Sequence, residues 1–84
     1  MTEADFLRSR ANVIDDIHSF VIRQPALGKL SYRDVENMVD KLYVAFEGHV
    51  RNMERSTDEL TLYERLMILG VVRYVAACEY AKML

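Results

Sequence analysis

LTLYERLMILGVVRYVAACEYAKML, residues 60–84, is apolar on more than one side of nearly every helical turn. A helix in a small soluble protein ordinarily hides one stripe and wets the rest. At about 100° per residue, the wet edge of this segment is narrow: Thr61, Glu64, Arg65, Glu79 and Lys82, interrupted by Ile68, Val72 and Val75. Gly70, Ala77 and Ala81 fall together on one side, flanked by Tyr63, Met67 and Tyr74. Small residues at these spacings let a second helix approach closely, which gives a physical use to a mid-helix glycine that otherwise costs about 1 kcal/mol against alanine.

Two starts precede this helix, Ser56-x-x-Glu59 and Thr61-x-x-Glu64, and two more lie upstream, Thr2-x-x-Asp5 and Ser31-x-x-Asp34. In each, the hydroxyl can accept from an early backbone N–H while the acid sits at the positive helix end. Met1 with Phe6 and Leu30 with Val35 supply the apolar staple for the upstream pair. The first helix carries Phe6, Leu7, Val13, Ile14, Ile17, Phe20 and Val21 on one face, and Pro25 and Gly28 close it. The second lines its hidden side with Val35, Met38, Val39, Leu42, Tyr43, Phe46, Val50 and Met53. Helices over about residues 3–23, 32–55 and 58–84 are predicted, in one domain spanning 1–84. The fold class is all-α, an antiparallel three-helix bundle with short loops, completed by dimerisation through the third helix.

The chain has 84 residues, a net charge of −2, three glycines, one proline and one cysteine. That length is near the lower limit for a core that folds unaided, and it is read as one complete small domain. Acids and bases are mixed throughout with no basic block, which argues against a nucleic-acid partner. Lone Cys78 excludes an intrachain disulfide and fits a reducing compartment, and the charged start Met1–Arg10 is unlike a signal peptide. The longest charge-free run in the last helix, Leu66–Val72, is far below the ~20 residues that span a bilayer. A cytoplasmic protein without a membrane segment is expected.

The small track of the third helix receives one of the other helices, or it, or the Leu62/Leu66/Leu69 face, meets a second copy, with an apolar surface for a different protein as the next possibility. One chain has too little surface to cover both apolar sides, so self-association is favoured, with Tyr63, Leu66, Gly70, Arg73, Tyr74, Ala77 and Ala81 as its expected interface. Cys78, two turns past Gly70, reads as a small hydrophobe.

Arg10, amid the apolar face of helix one, and Arg73, between Leu62, Leu66 and Tyr80, stand where leucine would be expected. Each must snorkel outward, meet a carboxylate or face an anion. Glu36, Asp40, Glu47 and Glu54 run along one edge of helix two, the last three a heptad apart. They form either a solvated edge beside Arg33 and Arg51 or an acidic strip that docks a basic partner or imitates nucleic-acid phosphates for a protein that binds them. His18 and His49 are far apart, and Asp15-x-x-His18 is too little for a metal site. No nucleophile–base pairing, phosphate loop or zinc spacing implies a catalytic group, metal or cofactor.

Leu7-Arg8 followed by Ile14-Asp15-Asp16, and Arg33-Asp34-Val35-Glu36, resemble the starts of the first two helices of the all-helical chorismate mutases. That resemblance implies a helical dimer holding a dicarboxylate through inward arginines, with Arg8 and Lys29 as the matching positions. Asn37 and Met38 stand where the family has its catalytic arginine–glutamate pair, and helix one stops early, at Pro25. The expected function is therefore a small non-enzymatic regulator or inhibitor that binds a protein partner as a homodimer. The alternative is a small helical enzyme holding an acidic metabolite through Arg10 and Arg73.

Overall fold

The computed structural model describes residues 2–54 and 59–84, with only the backbone of Glu54. Within them lie three helices, α1 (Glu3–Ile22), α2 (Tyr32–Glu54) and α3 (Leu62–Lys82), and a 3-10 turn at Pro25–Leu27. The starts of α2 and α3 are closed by reciprocal caps, and that of α1 by the carboxylate of Asp5. The Thr2 N–H donates to the Asp5 carboxylate at 2.7 Å, and the Ser31 N–H donates to Asp34 at 2.8 Å. The Asp34 N–H donates to the Ser31 hydroxyl at 3.1 Å. At α3 the Thr61 N–H donates to Glu64, and the Glu64 N–H to the Thr61 hydroxyl, both at 3.1 Å. These bonds satisfy backbone donors that a helix start leaves without partners.

The last helix thus begins at the second of its two possible starts, and Glu59 and Leu60 are not helical. Residues 55–58, which hold the expected end of helix two and the hydroxyl of the other start, lie outside the described residues, as does Met1 of the first staple. The α1 end is tied by the Arg23 Nε–H, which donates to the Ser19 carbonyl at 2.9 Å. Leu27, in the connecting turn, is buried, so this loop contributes to the core as well as joining α1 to α2.

Side-chain pairs give the direction of packing. Phe6 meets Tyr43 edge-on at 5.5 Å, Arg10 reaches Asp40, and His18 meets Tyr32 at 5.4 Å, so α1 and α2 run antiparallel. Arg65, at the start of α3, bonds Glu3 at the start of α1, so α3 runs alongside α1 and against α2. The protein is an all-α three-helix bundle, up-down-up. Its extents are 44 × 25 × 16 Å and its radius of gyration is 13.8 Å, against ~12 Å for a rounder chain of this length.

The core is a single thin column. Val13, Ile14, Ile17 and Val21 from α1 meet Val35 and Val39 from α2, and Ile68, Val72, Ala76 and Tyr80 from α3. Phe20, Leu30, Met38, Leu42, Tyr43, Phe46 and Val50 pack around it. Two residues expected on hidden faces point outward: Leu7 is 56% exposed and Met53 is 71% exposed. Leu7 sits one residue past Phe6, hence about 100° around the helix from the core line. Met53 lies in the last turn of α2.

The α3 faces are also redistributed. Ile68 and Val72, expected to interrupt a wet edge, are core residues. Charge at Arg65 and Glu79 suggested solvent on that side. The Arg65 guanidinium instead lies 4.1 Å above the Phe6 ring, covering the core's end, and Glu79 pairs with Lys82 at 3.2 Å.

Ile14→Ala, at a position with 0% exposure, should lower stability by about 2–5 kcal/mol, whereas Leu7→Ala should change it by no more than about 0.5 kcal/mol. Urea unfolding of both variants checks this assignment, and equal losses would refute it.

Candidate interaction face and ion-pair sites

The core face of α3 is defined by Ile68, Leu69, Val72, Ala76 and Tyr80. Directly opposite lie Tyr63, Met67, Gly70, Tyr74, Ala77 and Ala81, every one of them exposed. Tyr63 is 65% exposed, Met67 59% and Tyr74 73%. Neither α1 nor α2 therefore receives the small track. A Cβ built on Gly70 would meet nothing within 4 Å. Between Arg73 on one flank and Glu64 and Lys82 on the other, about half the circumference of α3 carries no charged residue at all. On the Glu64 flank this surface continues into a groove of about 310 Å³ between α2 and α3, lined by Phe46, Val50, Glu64, Met67, Ile68 and Val71. Of the remaining residues of the expected interface, Leu66 is half-buried and Arg73 is exposed.

The two arginines singled out in the sequence do not converge. Arg10 makes a fork with Asp40: its Nε–H donates to Oδ1 at 2.9 Å and its Nη2–H to Oδ2 at 2.7 Å. Nη2 also donates to Glu36 at 3.3 Å. The Asp40 carboxylate beside it, outweighing partial burial, holds the Arg10 guanidinium even more firmly charged than usual. Arg10 and the first half of the acidic strip, separate features in the sequence, are thus one α1–α2 link. Glu47 pairs with Arg51 at 3.2 Å, and the Glu54 side chain lies outside the described residues. A basic partner docking on Glu36 and Asp40 would compete with Arg10.

Arg73 pairs with Asp16 at 3.3 Å, with both side chains more than half exposed. Pairs of that kind contribute about 0–1 kcal/mol. Arg8, carried over from the mutase resemblance, is exposed and 3.4 Å from Asp5 of its own turn, and Lys29 is exposed in the α1–α2 connection. His18 packs on Tyr32, and His49 is exposed on α2.

Sequence reasoning overlooked Arg65. Its Nη1 and Nη2 donate to the two Glu3 oxygens, each at 2.8 Å, and its Nε–H donates to the Tyr43 hydroxyl at 3.4 Å. It joins all three helices at the end where α1 begins. The hydrogen bonds to Glu3 raise the Arg65 pKa still further and lower that of the Glu3 carboxyl below 4.5. Helical spacing alone held the signal: Arg65 lies on the same face as Ile68, Leu69, Val72 and Ala76. A carboxylate with a lowered folded pKa stabilises the fold above its ordinary value and loses that contribution as pH falls through the folded value.

The chain matches no protein-family model, no curated protein and no solved structure.

Acid unfolding followed below pH 4.5 should therefore be less steep in Glu3→Gln than in the native chain, and an unchanged slope would remove Glu3 from the acid limb. At neutral pH, Arg65→Lys should lower stability by about 1 kcal/mol, because an ammonium loses both the planar fork and its stacking on Phe6. A double-mutant cycle on Arg10 and Asp40 should give a coupling of about 1 kcal/mol, larger than that of Arg73 and Asp16.

Proposed function

We propose that this protein is a small, non-enzymatic regulator or inhibitor that binds a protein partner as a helical homodimer. The observation that carries the reading is the uncharged outer half of α3, which is exposed from Tyr63 to Ala81 on the side away from the core. Large apolar surfaces of this kind on small chains mark association sites. With α3 occupied by the second copy, the exposed edge of α2 is the surface left for the partner. A cytoplasmic setting follows from the same reading, because half-buried Cys78 is the only cysteine and needs no oxidising compartment.

The rival reading, an enzyme gripping an acidic metabolite, requires arginines that are available to it. Arg10 is held by Asp40 and Glu36, and Arg73 sits on the surface beside Asp16. Nothing in their placement favours that alternative.

Sedimentation equilibrium from micromolar to millimolar concentration should show a reversible dimer, and Gly70→Leu should sediment as a monomer. The same substitution should raise the stability of the monomeric helix by up to about 1 kcal/mol, because the site is open within the chain. A variant that melts higher yet fails to dimerise separates interface damage from misfolding. A native monomer at millimolar concentration overturns the dimer. A large rise in melting temperature with small dicarboxylates, lost in Arg10→Ala, overturns the non-enzymatic reading.

A further inference from the structure

The outer residues of α3 have an order that a general sticky surface would not need. Tyr63, Met67, Gly70, Tyr74, Ala77 and Ala81 are spaced 4-3-4-3-4, the interval of a coiled-coil seam. Along that seam, large and small side chains are arranged unevenly: two of the three large ones lie before Gly70, and two of the three small ones lie after Tyr74. Folding the list back on itself about the level of Val72 pairs Tyr63 with Ala81, Met67 with Ala77, and Tyr74 with Gly70. Every large residue meets a small one.

A two-fold axis imposes such reciprocal pairing, since residue i of one copy meets residue j of the other and j meets i. We infer that α3 packs antiparallel against α3 of a second copy, with the dyad at the level of Val72. This deepens, and rests on, the homodimer reading above. A parallel pairing would instead stack Tyr63 on Tyr63 and Gly70 on Gly70, crowding the seam at its large residues and emptying it at its small ones. Val71 lands beside Val71 of the second copy and carries the contact toward the α2–α3 groove, which it also lines. On the other flank Arg73 approaches its own counterpart. Asp16, 3.3 Å from Arg73 in the same chain, brings a compensating carboxylate to that point.

The available area suffices. α3 has 21 residues, so it is roughly 31 Å long. Half the envelope of a cylinder about 11 Å across, taken over that length and two copies, is on the order of 1,100 Å², above the ~1,000 Å² that a specific interface clears. The groove beside Met67 and Val71 adds to it.

Disulfide trapping reads the register. In a Cys78→Ser background, Tyr63→Cys and Ala81→Cys are prepared separately and mixed, under oxidation by glutathione. The antiparallel register puts position 63 opposite 81, and it separates the two copies of position 63 by about 27 Å, far beyond disulfide reach. The mixture should form the mixed disulfide, and each variant alone should form none. A second measurement uses size: Ala77→Met should weaken the dimer roughly ten- to a hundredfold by overpacking against Met67, and adding Met67→Ala should restore most of the loss. If Tyr63→Cys links to itself, or if Met67→Ala fails to rescue Ala77→Met in a chain that still dimerises, this register is wrong while the dimer stands. If the native chain sediments as a monomer at every concentration, the dimer reading fails as well.

Discussion

One constraint governs this structure: three helices of 20, 23 and 21 residues share a core only as wide as the contact among them. In such a bundle each helix can turn just one arc toward the other two. For α1 and α2 that arc suits the sequence. For α3 it does not, because the apolar residues run around most of its circumference. The bundle takes Ile68, Leu69, Val72, Ala76 and Tyr80 and leaves Tyr63, Met67, Val71 and Tyr74 to solvent. The surface on which the functional reading rests is what an 84-residue chain has left over once its own core is filled.

The electrostatics serve the same packing. Arg10 and Arg65 lie at the margins of the apolar column, and each reaches carboxylates on a neighbouring helix: Arg10 those of Asp40 and Glu36, Arg65 that of Glu3. Both keep part of the guanidinium in water, so neither bears the full desolvation of a buried ion. Their fork geometry adds specificity to the pairing of the helices as well as energy. An acidic edge that looks like a docking strip in one dimension is, in three, partly the counter-charge of α1.

The start of each helix was legible in the sequence. Ser31-x-x-Asp34 and Thr61-x-x-Glu64 form both bonds of the cap and Thr2-x-x-Asp5 forms the one to its carboxylate, because capping is a contact between residues three apart and needs no distant partner. The number of helices, the break at Pro25 and most of the core line of α1 and α2 followed for the same local reason. On α3, two long side chains lie where their charge and neighbours do not predict. Arg65 suggested solvent by its charge, while its guanidinium lies over the Phe6 ring, and Arg73 suggested burial by its neighbours while standing exposed.

By itself, then, the sequence determined an all-helical chain of three capped segments, and a third helix with more apolar surface than one neighbour could use. Only the tertiary structure decided which arc of α3 that neighbour took, and that Gly70, Ala77 and Ala81 face away from it. It alone joined Arg10 to Asp40 across 30 residues and Arg65 to Glu3 across 62. Helical periodicity ranks residues around one axis, but the rotation of that axis toward the core is set by the other two helices. A helix apolar nearly all round offers no internal cue to that rotation.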